Sequence, residues 1–188
     1  MEIKVLIAYL LLFSITICFC SCSKEQGNQD ETTEIVNQMI GDTLVLPKIS
    51  KVLHNDSLYH QNITKAKGIK ITTFIQGDCS LCIDDLKNWH ELFQYTKSKM
   101  GVDMLFYLYS SDLEYFINNI YSQELYKYPL ILDQNYEYSD NNSLPIDRKQ
   151  YQTFLLDSNN KVVLVGNPVY NEKLKNLYIE EIEKRIAE

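Results

Sequence analysis

The sequence predicts an α/β fold, a mixed central sheet with helices on both faces. Three observations carry that prediction. β-branched and apolar runs alternate with segments of helical period over the middle of the chain. A two-strand pattern with a polar turn follows them, and an amphipathic helix closes the chain. Parallel crossovers followed by an antiparallel hairpin require a sheet of mixed direction.

The elements read as follows. Thr43-Leu44-Val45-Leu46 is expected as a short strand ended by Pro47, and residues 48–68 carry no clear period. Ile69 to Ile75 is rich in β-branched residues and reads as a strand, which Gly77-Asp78 breaks. From Cys82 the period changes. Cys82, Leu86, Trp89 and Phe93 recur at helical spacing, and Asp84, Asp85, Lys87 and Glu91 take the other side. Val102 to Tyr109 is apolar enough for a buried central strand. Ser110-Ser111-Asp112 offers an N-cap for a second amphipathic helix carrying Leu113, Phe116, Ile117 and Ile120. Pro129 to Leu132 is a third strand, and residues 134–150 form a polar loop containing Pro145. Thr153–Leu156 and Lys161–Val165 flank Asp157-Ser158-Asn159-Asn160 as a hairpin. A helix from about Asn171 sets Leu174, Leu177, Tyr178, Ile182 and Ile186 on one face.

The front of the chain has a different character. Lys4 precedes an apolar run from Val5 to about Cys20, interrupted only by Ser14 and Thr16. That length suits a secretory signal and is short for a spanning helix. Ser21 then precedes Cys22, and the arrangement resembles a bacterial lipoprotein signal. The resemblance implies removal of residues 1–21 and lipidation of Cys22, palmitate included. It places the protein in the bacterial cell envelope, lipid-anchored to a membrane, periplasm-facing or associated with the outer membrane. Ser23 to Thr33 has no apolar residue. Residues 22–42 are therefore expected as the lipidated cysteine and a flexible tether, and residues 43–188 as the folded domain.

Charge and cysteine content narrow the function. The 188 residues carry 18 Lys and Arg against 25 Asp and Glu, a net charge of −7, and Lys4 and Glu2 cancel within the signal. Such an acidic chain does not suit nucleic acid, whose phosphates must be neutralised. The 14 tyrosines are scattered and read as packing residues. Of five cysteines, Cys18 and Cys20 fall in the signal and Cys22 is the lipid site, which leaves Cys79 and Cys82. Two cysteines separated by two residues can close a disulfide with each other. So short a loop contributes little as a staple, so the pair reads as chemistry rather than scaffolding. A structural zinc needs four ligands, whereas there is no second pair, and His54, His60 and His90 are scattered. Neither a metal nor a cofactor is expected.

The Cys79-Ser80-Leu81-Cys82 pair at a strand-to-helix junction, the Thr153–Val165 hairpin and the terminal helix resemble the thioredoxin superfamily, in its membrane-tethered, exported thiol–disulfide oxidoreductase branch. The resemblance spans roughly residues 43–188. It implies a thioredoxin-like three-layer fold and a monomer that exchanges a dithiol for a disulfide with protein thiols and disulfides of the cell envelope. It implies Cys79 as nucleophile and Cys82 as resolving thiol. Two positions depart from the family pattern. Asp78 stands where the family has Trp or another apolar residue, and a carboxylate there is expected to disfavour a Cys79 thiolate. The family's cis-proline slot aligns with Tyr151 or Gln152, where a trans bond is expected. A non-catalytic thioredoxin-fold binding lipoprotein is the alternative. A peroxiredoxin-type peroxidase ranks below both, because no proline precedes Thr73 at the spacing that family uses.

Overall fold

The computed structural model describes residues 32–63, 68–123, 128–145 and 147–187. The expected signal and Cys22 lie outside them. The chain divides into two units, Met1–Gln38 and Met39–Glu188. Of the first, residues 32–38 are described, and they are helical.

The second unit is built around a sheet of seven strands among the described residues. These are β1 (Ile49–His54), β2 (Ser57–Asn62), β3 (Lys70–Gln76), β4 (Asp103–Tyr109), β5 (Leu130–Leu132), β6 (Thr153–Leu156) and β7 (Val162–Val165), in the spatial order β2-β1-β5-β4-β3-β6-β7. β3, β4 and β5 are parallel, while the β1–β2 hairpin and the β6–β7 hairpin join the two sides antiparallel. The long helices are α1 (Ser80–Met100) and α4 (Glu172–Ile186), with two short ones between them, α2 (Leu113–Tyr115) and α3 (Glu137–Asn141).

Strand alternation divides the core in two. Ile71, Ile75, Phe106, Leu108, Leu130 and Leu155 point to the face that α1 and α4 cover, where Leu86, Trp89, Leu92, Tyr178 and Ile182 meet them. Trp89 is 1 % exposed and lies edge-on to Phe106, ring centres 5.8 Å apart. The opposite face is more polar. Tyr107 stacks flat on Tyr138 of α3 at 3.8 Å, and the Tyr138 hydroxyl bonds the Thr72 hydroxyl at 2.8 Å. Lys70 is buried at the start of β3. Its ammonium donates to the Asp157 carbonyl (3.1 Å) and the Asn160 side chain (2.8 Å), which fastens β3 to the β6–β7 turn.

Several elements differ from the sequence reading. No strand forms at 43–46. Thr43 makes a single bridge to Lys161, and the Val45 N–H goes to the Asn142 side chain at 2.7 Å instead of to a ladder. Residues 48–68 supply β1 and β2, joined by Asn55-Asp56 with φ of 48° and 59°, the left-handed pair a two-residue hairpin turn requires. α2 begins at its Asp112 cap, then widens into a π-helical turn, Phe116–Ile120. The 134–150 loop contains α3. Asp85, expected on the outer side of α1, is buried. On α4, Tyr178 and Ile182 are buried while Leu177 and Ile186 stand exposed, so the apolar stripe is narrower than its spacing suggests.

β3 leaves the sheet through Gly77, whose N–H donates to the Tyr109 carbonyl at 2.7 Å. A Cβ there would lie 3.0 Å from the Phe116 ring, 3.1 Å from Ser110 Cβ and 3.1 Å from the Tyr109 carbonyl. Gly77→Ala is therefore expected to cost about 1–3 kcal/mol, the usual range for overpacking, read as a lowered denaturant midpoint. An unchanged midpoint contradicts the close approach.

Burial raises the phenol pKa of Tyr107, Tyr138 and Tyr178, and that of Tyr121 to about 12. Unfolded tyrosine ionises near about pH 10. Above that value the unfolded chain sheds protons the folded chain keeps, so stability is full below about pH 10 and falls above it. Lys70 opposes this, because burial lowers its pKa and stability rises with pH in the window below its unfolded value. The tyrosines outnumber it. The denaturant midpoint is expected to decline from pH 10 to 11.5, and a flat profile refutes the sign.

Candidate functional site

The C-terminal ends of β3 and β4 carry the cysteine pair. After Gly77, Asp78 lies on the surface and Cys79 turns the chain. Cys79 has extended dihedrals, φ −106° and ψ 110°, and serves as the N-cap of α1. Its Sγ accepts the Cys82 N–H at 3.3 Å, and its carbonyl accepts those of Cys82 (2.9 Å) and Ile83 (3.1 Å). The sulfur thus occupies a position that a serine or aspartate side chain normally fills at a helix start. The 21 residues of α1 direct the positive end of their dipole at it, with no acidic residue in the first turn to offset that field. Cys79 and Cys82 are joined by a disulfide, with Cα atoms 5.2 Å apart. Both are half-buried. Cys82 packs against the core, while Ser80 and Leu81 between them are exposed.

Asp78 is engaged by the loop after β4. The Ser110 hydroxyl donates to its Oδ1 at 2.9 Å, and the Ser111 N–H donates to both oxygens, at 3.1 and 2.9 Å. Partial burial pushes the carboxyl up, but the Ser111 and Ser110 hydrogen bonds outweigh it and hold the group below its ordinary value. Asp78 therefore stays ionised and ties the cysteine turn to β4.

Two aromatic side chains that the sequence did not single out stand beside it. Tyr136 has φ of 56°, a strained backbone for a bulky residue, and stacks on Tyr109 at 4.1 Å. Burial, then the Tyr109 hydrogen bond and the nearby Asp78 and Asp133 carboxylates, push its phenol up to about 12. On the other flank, Asp85 lies one turn beyond Cys82. It accepts from the Tyr170 hydroxyl and pairs with Lys149 Nζ at 3.5 Å, and the Asn88 amide donates to the Tyr170 hydroxyl at 2.8 Å. These contacts bind α1 to the segments before β6 and after β7.

Gln152 fills the slot before β6. Its carbonyl accepts the Phe74 N–H at 3.1 Å, and its side-chain amide reaches the Pro145 carbonyl at 3.1 Å, closing the 134–150 loop. Among the described residues no peptide bond is cis. His54, His60 and His90 lie on β1, β2 and α1, and no cluster of three His, Cys, Asp or Glu able to hold a metal is found among the described residues. Nor is any described helix long and apolar enough to cross a membrane.

No protein-family model matches the sequence, and no curated protein matches it. Solved structures do. A candidate protein disulfide isomerase from Bacteroides thetaiotaomicron superposes with a TM-score of 0.58 at 15 % identity, over 79 % of this chain and 91 % of that one. The reduced 2-Cys peroxiredoxin of Plasmodium vivax gives 0.57 at 14 % identity, over 78 % and 99 %. Mycobacterium tuberculosis AhpC gives 0.55 at 16 %, over 76 % and 92 %. Identities this low speak for the fold. With the β5-β4-β3-β6-β7 core and the long helix that opens at the end of β3, they show that this chain has a thioredoxin-like fold.

Proposed function

We propose that this protein is an exported thiol–disulfide oxidoreductase, held in the cell envelope through Cys22, that exchanges the Cys79/Cys82 pair with protein partners. The observation that supports this reading best is the placement of the pair. Cys79 Sγ is the N-cap of a 21-residue helix at the open end of the sheet, with its partner cysteine one turn inward. In the reduced protein the helix end favours the Cys79 thiolate. That thiolate attacks one sulfur of a partner disulfide. The partner's S–S bond breaks, its other sulfur leaves as thiolate, and a mixed disulfide forms at Cys79. Cys82 loses its proton and attacks Cys79 Sγ, releasing the second partner thiolate and closing Cys79–Cys82. Two electrons pass to the partner. The same steps in reverse oxidise a partner dithiol.

Cys79→Ser is expected to lower exchange with a model disulfide by on the order of 100-fold or more, because the attacking thiolate is gone. Cys82→Ser is expected to accumulate the mixed disulfide, seen as a mass adduct on Cys79. Unimpaired exchange in Cys79→Ser overturns the assignment and leaves the binding-lipoprotein alternative.

Asp78→Asn removes a fixed negative charge next to Cys79, so the Cys79 thiol pKa is expected to fall. The rate of alkylation of the reduced protein against pH reports it. A midpoint that stays in place shows that Ser110 and Ser111 already shield the sulfur from this charge.

A further inference from the structure

The surface around the disulfide is uneven in a way that packing does not require. Leu81, Tyr115 and Tyr170 are 65 %, 57 % and 61 % exposed, three of the four most exposed large apolar side chains among the described residues. Leu81 lies in the cysteine turn, and Tyr170 and Tyr115 lie on segments hydrogen-bonded to α1 and to Asp78. Leu81 sits between the cysteines. Tyr170 is bonded to Asp85 and Asn88 of α1, one and two turns along from Leu81. Tyr115 belongs to the segment that begins at Ser111, which Asp78 holds.

The unpaired charges there are acidic. Asp78, Asp84, Asp112 and Glu114 are exposed. No lysine or arginine occurs from Ile71 to Leu86 or from Gly101 to Tyr126. The two cations nearest along these contacts are engaged, Lys87 with Asp84 at 3.2 Å and Lys149 with Asp85 at 3.5 Å. Asp78, Asp112 and Glu114 thus leave an acidic rim beside the helix end, and such a rim steers cationic partners in and turns acidic ones away.

We infer that this rim is a docking surface for a cysteine-bearing segment of a partner protein that is basic and carries apolar side chains. The inference rests on the proposed redox function and names the partner class of that site. Leu81, Tyr115 and Tyr170 supply apolar area for the segment beside its cysteine. Asp78, Asp112 and Glu114 meet its lysines or arginines.

The test uses the reduced full chain and three synthetic disulfide peptides of one length. One is basic with Leu and Tyr near the cysteines, one has the same apolar residues with Glu in place of Lys, and one is basic with Ser in place of Leu and Tyr. Hydroxyethyl disulfide, small and uncharged, reports exchange itself. At low salt the basic apolar peptide is expected to react at least about 10-fold faster than the acidic one, and the ratio to shrink in 0.5 M salt as screening shortens the field. The basic Ser peptide is expected to be slower than the basic apolar one. Asp112→Asn combined with Glu114→Gln narrows the charge ratio, and asparagine keeps the helix cap. Exchange with hydroxyethyl disulfide but equal peptide rates, or a faster acidic peptide, overturns the docking inference alone. No exchange with any of the four disulfides overturns the redox function and the docking surface together.

Discussion

The cysteine turn depends on one close approach. β3 is bounded by β4 on one side and β6 on the other, and at its end the chain has to leave the sheet without leaving β4. The Gly77 N–H does this by holding the Tyr109 carbonyl while the backbone slips between Phe116 and Ser110. Only a residue without a Cβ fits that gap unaided. Everything at the site follows from the register this sets. Asp78 falls opposite Ser110 and Ser111, Cys79 falls at the first free N–H groups of α1, and Cys82 falls one turn in, against the core.

The two sheet faces then do different work. The face under α1 and α4 is apolar and supplies the burial that holds the long helices. The other face is held by specific polar contacts, namely Tyr138 to Thr72, Tyr107 stacked on Tyr138, and Lys70 to the β6–β7 turn. Such contacts are directional, so they fix register more strongly than apolar packing does. They are also costly to leave half-made, which binds α3 and the β6–β7 turn closely to β3. The strand that delivers the cysteines is thus clamped on both faces and at both ends. That suits a site in which a sulfur has to be presented at a fixed place.

How much of this was legible in the sequence follows from how local each signal is. The strand at Lys70–Gln76, the helix after it, the strand before Ser110 and the hairpin around Asp157 all announce themselves by period or turn residues, and they form. The β1–β2 hairpin did not, because its turn is Asn55-Asp56 without the glycine that usually marks such a turn, and all six residues of β2 are exposed, so no alternation survives. The strand read at 43–46 fails because the partner for Val45 comes from Asn142, 97 residues away, which no window reveals. α3 hides in a polar loop for a similar reason, since its buried Tyr138 finds its partners, Thr72 and Tyr107, on distant strands. At the site, the CxxC spacing and its junction were visible. The engagement of Asp78 and the burial of Asp85 were not, because Ser110, Lys149 and Tyr170 reach them only through the fold.

The two departures from the family pattern have a common structural sense. Each position carries a residue that ties the site to its own scaffold. Asp78, where an apolar residue is usual, binds the loop after β4. Gln152, one of the two residues expected at the proline slot, spends its side chain on Pro145 and its carbonyl on Phe74. Neither change removes the sulfur from the helix end or alters the way α1 begins. What they change is the ground around it, where an apolar contact is exchanged for a fixed negative charge. In a chain with seven more acidic than basic residues, that charge adds to the field of Asp112 and Glu114 instead of being cancelled. Under the proposed function the substitutions bear on which partners approach the disulfide, and leave the geometry that would perform the exchange in place.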